Sequence, residues 1–306
     1  MAMGVIRPRR TQEQKGPIGK LMSKEIGRIV PIIPTPFRSD DSIHEQDLRR
    51  IVRWIGEHGA GVMCTPAYAS EYYKLTDEER DQVVSIVIDE NDGRVPVVAQ
   101  ANHGSASVAA ATAARYEQMG ADVLRYLGRV ADAVSIPLLV QDFNPGGATI
   151  SPAEIDELNR QHPNFKYLKL EEPLMIDKLV SIVDTVGDRV GVLEGWGGLY
   201  MLELIPNGLI GAMPGVPLLE PLSKVFRLRQ AGENDAAFEL MGRLLPFINY
   251  SLQNFEVFLQ IEKQLLVNMR LFESASIRDA PYTLSSENSE YVDELCAQMQ
   301  QVIGSL

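Results

Sequence analysis

The side chain best suited to covalent chemistry in this 306-residue chain is Lys169, in the run Phe165-Lys166-Tyr167-Leu168-Lys169-Leu170. Side chains alternate across a strand, so Phe165, Tyr167 and Lys169 share one face and Lys166, Leu168 and Leu170 the other. On the inner face of a closed sheet, near its C-terminal rim, an ammonium is costly to hold. Burial favours the neutral amine, a nucleophile toward a carbonyl carbon. The other outcome open to Lys169 is a pair with Glu171 or Glu172, or a turn toward solvent. The four histidines (His44, His58, His103, His162) stand singly, without metal-ligand spacing, so no metal is expected. Glu194-Gly195-Trp196-Gly197-Gly198 is a glycine-rich turn where backbone can approach a ligand, with Trp196 either walling a pocket or packing on the rim.

The elements that would hold Lys169 are short β-branched runs alternating with helical patterns, the signature of a parallel sheet covered by helices. Strands are predicted at Ile29 to Pro34, Gly61 to Cys64, Val95 to Gln100, Ala121 to Leu124, Ile136 to Phe143, Phe165 to Leu170, Val190 to Glu194 and Gly208 to Ala212. Eight such units favour a (β/α)8 TIM barrel over an open sheet, with active-site loops at the strand C-terminal ends. Intervening helices show apolar residues three and four apart, as in Leu48, Ile51, Val52 and Ile55. Thr76-Asp77-Glu78-Glu79 has the form of a helix cap, with Tyr72 and Tyr73 ahead of it. The fourth unit is too short for the usual βαβ connection, since Leu124 runs almost directly into a predicted helix from Tyr126 to Val134.

Residues 1–25 read as a flexible basic arm, residues 26–216 as the barrel, and residues 217–306 as a C-terminal helical region with helices such as Ala236 to Leu245 and Phe255 to Leu271. The apolar positions Phe247, Leu252, Phe255, Phe258 and Leu259 suit burial against the barrel or against a neighbouring chain.

A net charge of -12 disfavours nucleic acid or an anionic membrane surface as partner and points to a small molecule. Apolar runs are broken by Pro, Gly or charge before they are long enough to cross a bilayer. Only Cys64 and Cys296 are present, too few for a disulfide framework, which fits a reducing cytoplasmic setting.

Five segments in order, Pro34-Thr35-Pro36-Phe37, Ser70-Glu71-Tyr72-Tyr73-Lys74-Leu75-Thr76-Asp77-Glu78-Glu79-Arg80, Phe143-Asn144-Pro145, Tyr167-Leu168-Lys169 and Gly208-Leu209-Ile210-Gly211, resemble the dihydrodipicolinate synthase and N-acetylneuraminate lyase superfamily. The resemblance covers roughly Gly27 to Leu284. It implies that Lys169 forms an imine with pyruvate or another 2-oxo acid, an electron sink that lets the adjacent carbon lose a proton or break a carbon–carbon bond. It further implies no cofactor, and a homo-oligomer, tetramer or dimer.

The family's strand-two loop, Gly-Thr-Thr-Gly-Glu, aligns with Ala67-Tyr68-Ala69-Ser70-Glu71, whose amides from Tyr68 through Ala69 to Ser70 can still cradle a carboxylate. Both threonine hydroxyls are gone, with Ser70 or the Tyr68 phenol as the candidates to replace them. The family's proton-relay tyrosine aligns with Phe143, which moves no proton. Tyr167 and Tyr68 are the candidate substitutes. Gly208, Ile210 and Gly211 match the family's turn beside the imine carbon. Where lysine-pathway members carry an arginine, this chain reads Gly146-Gly147-Ala148-Thr149, against a dihydrodipicolinate product. The expected function is a Schiff-base lyase acting on a 2-oxo acid by condensation, cleavage or dehydration. Its rivals are an inactive barrel that binds a 2-oxo acid or sugar acid as a sensor or assembly subunit, and, more remotely, a metal-dependent aldolase.

Overall fold

The computed structural model describes residues 2–6, 29–101, 105–119, 122–124, 131–143, 149–172 and 175–306. Most sheet strands are parallel: β2 (Met63–Cys64) pairs with β3 (Val97–Gln100), β3 with β4 (Asp122–Leu124), β5 (Leu138–Asp142) with β6 (Phe165–Leu170), β6 with β7 (Gly191–Glu194), and β7 with β8 (Gly211–Ala212). The first predicted strand joins the two ends of this series. Ile29 bridges Ala212, and Ile32 bridges both Cys64 and Gly215, all parallel. Pro31 and Pro34 lack an amide proton, so only isolated bridges form here. Val30 and Ile32 donate to Ala212 and Pro214, while Pro31 contributes its carbonyl to the Cys64 amide. Joining of the two ends makes a (β/α)8 barrel. Of the predicted arm, residues 2–6 form a further strand, β1 (Ala2–Ile6), which pairs antiparallel with β3 and with β5.

Most strands are shorter than the apolar runs that predict them, because the residues at the run ends go into turns. At β8 the correction reaches expected site residues, since Gly208, Leu209 and Ile210 fall outside the strand. Gly208 takes φ 101° to close the turn Ile205–Asn207, a left-handed conformation that costs glycine nothing. The predicted helix from Tyr126 lies mostly outside the described residues, and Ala131 to Ala133 form a turn.

The helices begin where the sequence caps them. In α1 (Glu45–Glu57) the His44 ring accepts from the Asp47 amide, and Leu48, Ile51, Val52 and Ile55 are buried. Thr76 and Glu79 form the capping box of α2 (Asp77–Asn91); Tyr72 and Tyr73 lie in a separate 3-10 turn before it. After α3 (Ala106–Gln118), Ser151 and Glu154 cap α4 (Pro152–Gln161), whose first residue is proline. Then come α5 (Met175–Val186) and the short α6 (Met201–Leu204).

Beyond β8 the chain is helical: α7 (Leu219–Ala231), α8 (Asn234–Ser251), α9 (Phe255–Asn268) and α10 (Ser286–Gly304). Phe247 and Leu259 are buried within the chain. Helix α9 carries two charged side chains into the interior. Lys263 is wholly buried, pairs with Glu71, donates to the Ser276 carbonyl at 2.9 Å and lies over the Phe37 ring. Lys74 joins this group, 3.2 Å from Glu71 and 3.3 Å from Glu256. Glu262 has no such partner among the described residues: it is buried, and its carboxyl fills the space beside Gly215, where an added Cβ would fall 1.5 Å from Oε1. Burial pushes its carboxyl up to about 8. No helix among the described residues is long and apolar enough to cross a membrane.

Candidate active site

Lys169 lies next to last in β6, points into the barrel and is 4% exposed. Of the outcomes foreseen for it, the structure shows the pair with Glu171, and that pair borders open space. Its Nζ is 2.6 Å from Glu171 Oε1, and both groups line a cavity of about 340 Å³, a volume in the range of small-molecule sites. The amine is therefore neither in bulk water nor sealed against a carboxylate with no space beside it.

Glu171 is held from two sides. Gln141, in register with Lys169 on the neighbouring strand, donates from Nε2 to Glu171 Oε2 at 2.9 Å. The α-carbon of Gly195 closes the other side: a Cβ there would lie 2.2 Å from Glu171 Cγ, so only glycine leaves room for this carboxylate. The preceding residue, Glu194, is fully buried and binds its own turn, accepting from the amides of Trp196 at 3.0 Å and Gly198 at 2.7 Å. Burial pushes the Glu194 carboxyl up to about 7, against the opposing pull of those amides and of Lys169. Burial likewise pushes the Cys64 thiol up to about 12, with Lys169 opposing, so Cys64 is a poor nucleophile.

The cavity roof comes from the C-terminal helices. The junction between α8 and α9, from Ser251 through Leu252, Gln253 and Asn254 to Phe255, lies on the cavity wall together with Phe258. Tyr68 packs edge-on against Phe255, with centroids 4.6 Å apart, and joins the strand-two loop to this roof.

The expected site residues divide into two groups. Tyr68, Ala69, Phe143 and Trp196 line the cavity with Lys169, and Phe143 and Trp196 meet edge to face at 6.4 Å. Ser70, Tyr167, Gly208, Ile210 and Gly211 do not line it. The Ser70 hydroxyl is turned away, donating to the Ile33 carbonyl at 2.6 Å, and its amide donates to Ala67. Of the three residues whose amides are expected to cradle a carboxylate, Tyr68 and Ala69 line the cavity. Tyr167 is buried a layer below Lys169, against the α-carbon of Gly191. Gly211 is in register with Leu193, itself level with Lys169, yet the wall on this side is Met213 and Gly215. Ile210 instead packs its side chain on Gly191. Asn144 to Ala148 lie outside the described residues.

Sequence reasoning missed Gln141 and the roof, and it took Glu171 only as a competitor for the lysine. Gln141 had a signal: an amide in an apolar run, two residues before Phe143 and so on the same face. Among the described residues, the grouped metal-ligand types are His44, Asp47 and Glu273, off the cavity wall and engaged by Arg50, which bonds Asp47 at 2.8 Å and Glu273 at 3.4 Å.

A buried lysine at the C-terminal rim of a parallel barrel, beside a carboxylate and a cavity, is the arrangement of an aldolase-type lyase. Comparison with known proteins gives the family. The profile of the dihydrodipicolinate synthetase family matches residues 25–127. A 4-hydroxy-tetrahydrodipicolinate synthase of Methylobacterium radiotolerans is 35% identical over 230 residues, covering 69% of this chain and 76% of that protein. An L-2-keto-3-deoxyarabonate dehydratase of Azospirillum brasilense is 27% identical over 242 residues, covering 72% and 78%. In three dimensions, the dihydrodipicolinate synthase of Rhodopseudomonas palustris superposes with a TM-score of 0.82 at 23% identity, covering 91% of this chain and 99% of that one. The chain belongs to the dihydrodipicolinate synthetase family.

Proposed function

We propose that this protein is a Schiff-base lyase in which Lys169 forms an imine with pyruvate or a related 2-oxo acid, and that its reaction is dehydration or aldol cleavage of a hydroxylated 2-oxo acid. The observation that carries this is the Lys169 amine, 2.6 Å from Glu171 on the wall of the cavity at the barrel mouth. Glu171 accepts a proton from the ammonium, and the neutral amine adds to the ketone carbon. The carbinolamine then loses water, its hydroxyl leaving with a proton returned by Glu171, to give a protonated imine. That imine draws electrons from the neighbouring carbon, which loses a proton to Glu171; the enamine so formed expels the hydroxyl of the next carbon, which leaves as water with the proton from Glu171. In a cleavage the hydroxyl of that next carbon instead gives its proton to Glu171 and becomes a carbonyl as the bond between the two carbons breaks. Water hydrolyses the product imine and restores the lysine. Glu171 does here what Phe143 cannot. The amides of Tyr68 and Ala69 hold the substrate carboxylate.

The dehydratase among the relatives favours loss of water, and Gly146 and Gly147, in place of an arginine, argue against a dihydrodipicolinate product. Two buried free cysteines accord with a cytoplasmic setting, and family habit with a homo-oligomer. Incubation with pyruvate and borohydride is expected to add one reduced adduct on Lys169, read by intact mass and peptide mapping. An unmodified mass across several 2-oxo acids refutes the proposal.

A second reading, a barrel that binds a 2-oxo acid without turning it over, draws on Phe143 and on the Ser70 hydroxyl turned to Ile33. Thermal stabilisation by pyruvate that persists in Lys169→Ala, with no turnover, supports that reading over the first.

A further inference from the structure

Gln141 carries an unused hydrogen-bond acceptor beside the reacting amine. Its α-carbon is in register with that of Lys169, it is 5% exposed, and it lines the cavity. A carboxylate only accepts, so the amide must turn its NH2 to Glu171, and it does, at 2.9 Å. That orientation fixes Oε1 on the opposite side, where it is buried with no hydrogen-bond partner among the described residues. A bare acceptor at such a place is unfavourable until a donor arrives. Neighbouring Glu171 offers no donor while ionised, and Phe143, next on the same face of the strand, has none.

We propose that Gln141 is a specificity-determining residue that accepts a hydrogen bond from a hydroxyl on the substrate chain close to the imine carbon, so that the site selects hydroxylated 2-oxo acids over their deoxy counterparts. The inference rests on the imine chemistry proposed for Lys169. Gln141 acts on the same substrate through both ends of its amide: Nε2 sets Glu171, and Oε1 reads the hydroxyl.

A matched pair of probes separates these roles. The intact protein is titrated with 2-oxobutanoate and with 4-hydroxy-2-oxobutanoate in the presence of borohydride, and the concentration giving half-maximal adduct on Lys169 is read by mass, either the hydroxylated or the dehydrated adduct being counted. The wild-type protein is expected to favour the hydroxylated compound about tenfold, the worth of one buried hydrogen bond. In Gln141→Leu the ratio falls to about one. Displacement of Glu171 alone shifts both compounds equally and leaves the ratio intact. Gln141→Asn, whose shorter amide withdraws the acceptor, is expected to lose the ratio as well, and it replaces the leucine variant should that one not fold. A wild-type ratio near one with 2-oxobutanoate trapped overturns the inference, as does an unchanged ratio in both variants. Failure of both compounds to trap on wild-type Lys169 overturns the imine reading itself, and with it the role of Gln141.

Discussion

Glu262 makes this protein's stability depend on pH in a way that one substitution isolates. Its carboxyl is enclosed against Gly215, has no hydrogen-bonding partner for Oε1 among the described residues, and is raised by burial to about 8 from an ordinary 4.5. A carboxyl raised in the folded state favours folding fully below its unfolded value, and the contribution is lost as pH rises through 8. Between pH 5 and pH 9 the loss is on the order of 4 kcal/mol, at about 1.4 kcal/mol for each tenfold change in proton affinity. Glu262→Gln keeps the shape and removes the titration. Urea unfolding of both proteins at the two pH values is expected to show the variant gaining, relative to wild type, on the order of 4 kcal/mol at pH 9 over pH 5. Glu194 titrates in both proteins and cancels in the difference. A difference between the two proteins that is the same at both pH values refutes the argument, since it means that the carboxyl has found water or a partner.

Lys169→Arg keeps a cation beside Glu171 but cannot form an imine, and it is expected to show no borohydride adduct and no turnover while remaining folded by circular dichroism. Gly195→Ala drives a methyl into Glu171 Cγ; a fall of about tenfold to a hundredfold in kcat/KM is expected, measured by steady-state kinetics on whichever 2-oxo acid traps. Lys263→Met leaves the buried Glu71 with Lys74 alone, and chemical denaturation is expected to show a loss of about 3 kcal/mol. Glu194, raised to about 7, holds the turn that carries Trp196; in a Trp54→Phe background, tryptophan emission is expected to shift with a midpoint near pH 7, and Glu194→Gln to abolish that shift.

The parts of the fold legible in the sequence are those fixed by local periodicity. The run Phe165–Leu170 gives β6 at its full length and turns Lys169 inward, and Thr76 with Glu79 predicts the start of α2. Gly208 to Ile210 misled because glycine-flanked apolar residues serve a strand and a turn equally well; the left-handed backbone of Gly208 decides for the turn. Lys169 was legible because a lysine on the inner face of a strand is conspicuous. Glu171 was less so, since whether it competes with the lysine or serves it depends on a cavity that no spacing encodes. The roof lies further from reach. Phe255 and Phe258 show an apolar helix face, but what that face covers is settled by contacts with Tyr68 and the barrel mouth, remote in the chain.

The covering of the barrel mouth by the α8–α9 junction has an evolutionary consequence. Lys169, the proposed bond-making group, sits on β6, held between β5 and β7, where an exchange disturbs the lysine. The ceiling above the lysine is a short connection between two helices, and Gln253 and Asn254 in it are exposed. Exchanges along that connection alter what fits over the amine while leaving the amine untouched, so a lineage can change its diet at residues 251–258 and keep its chemistry.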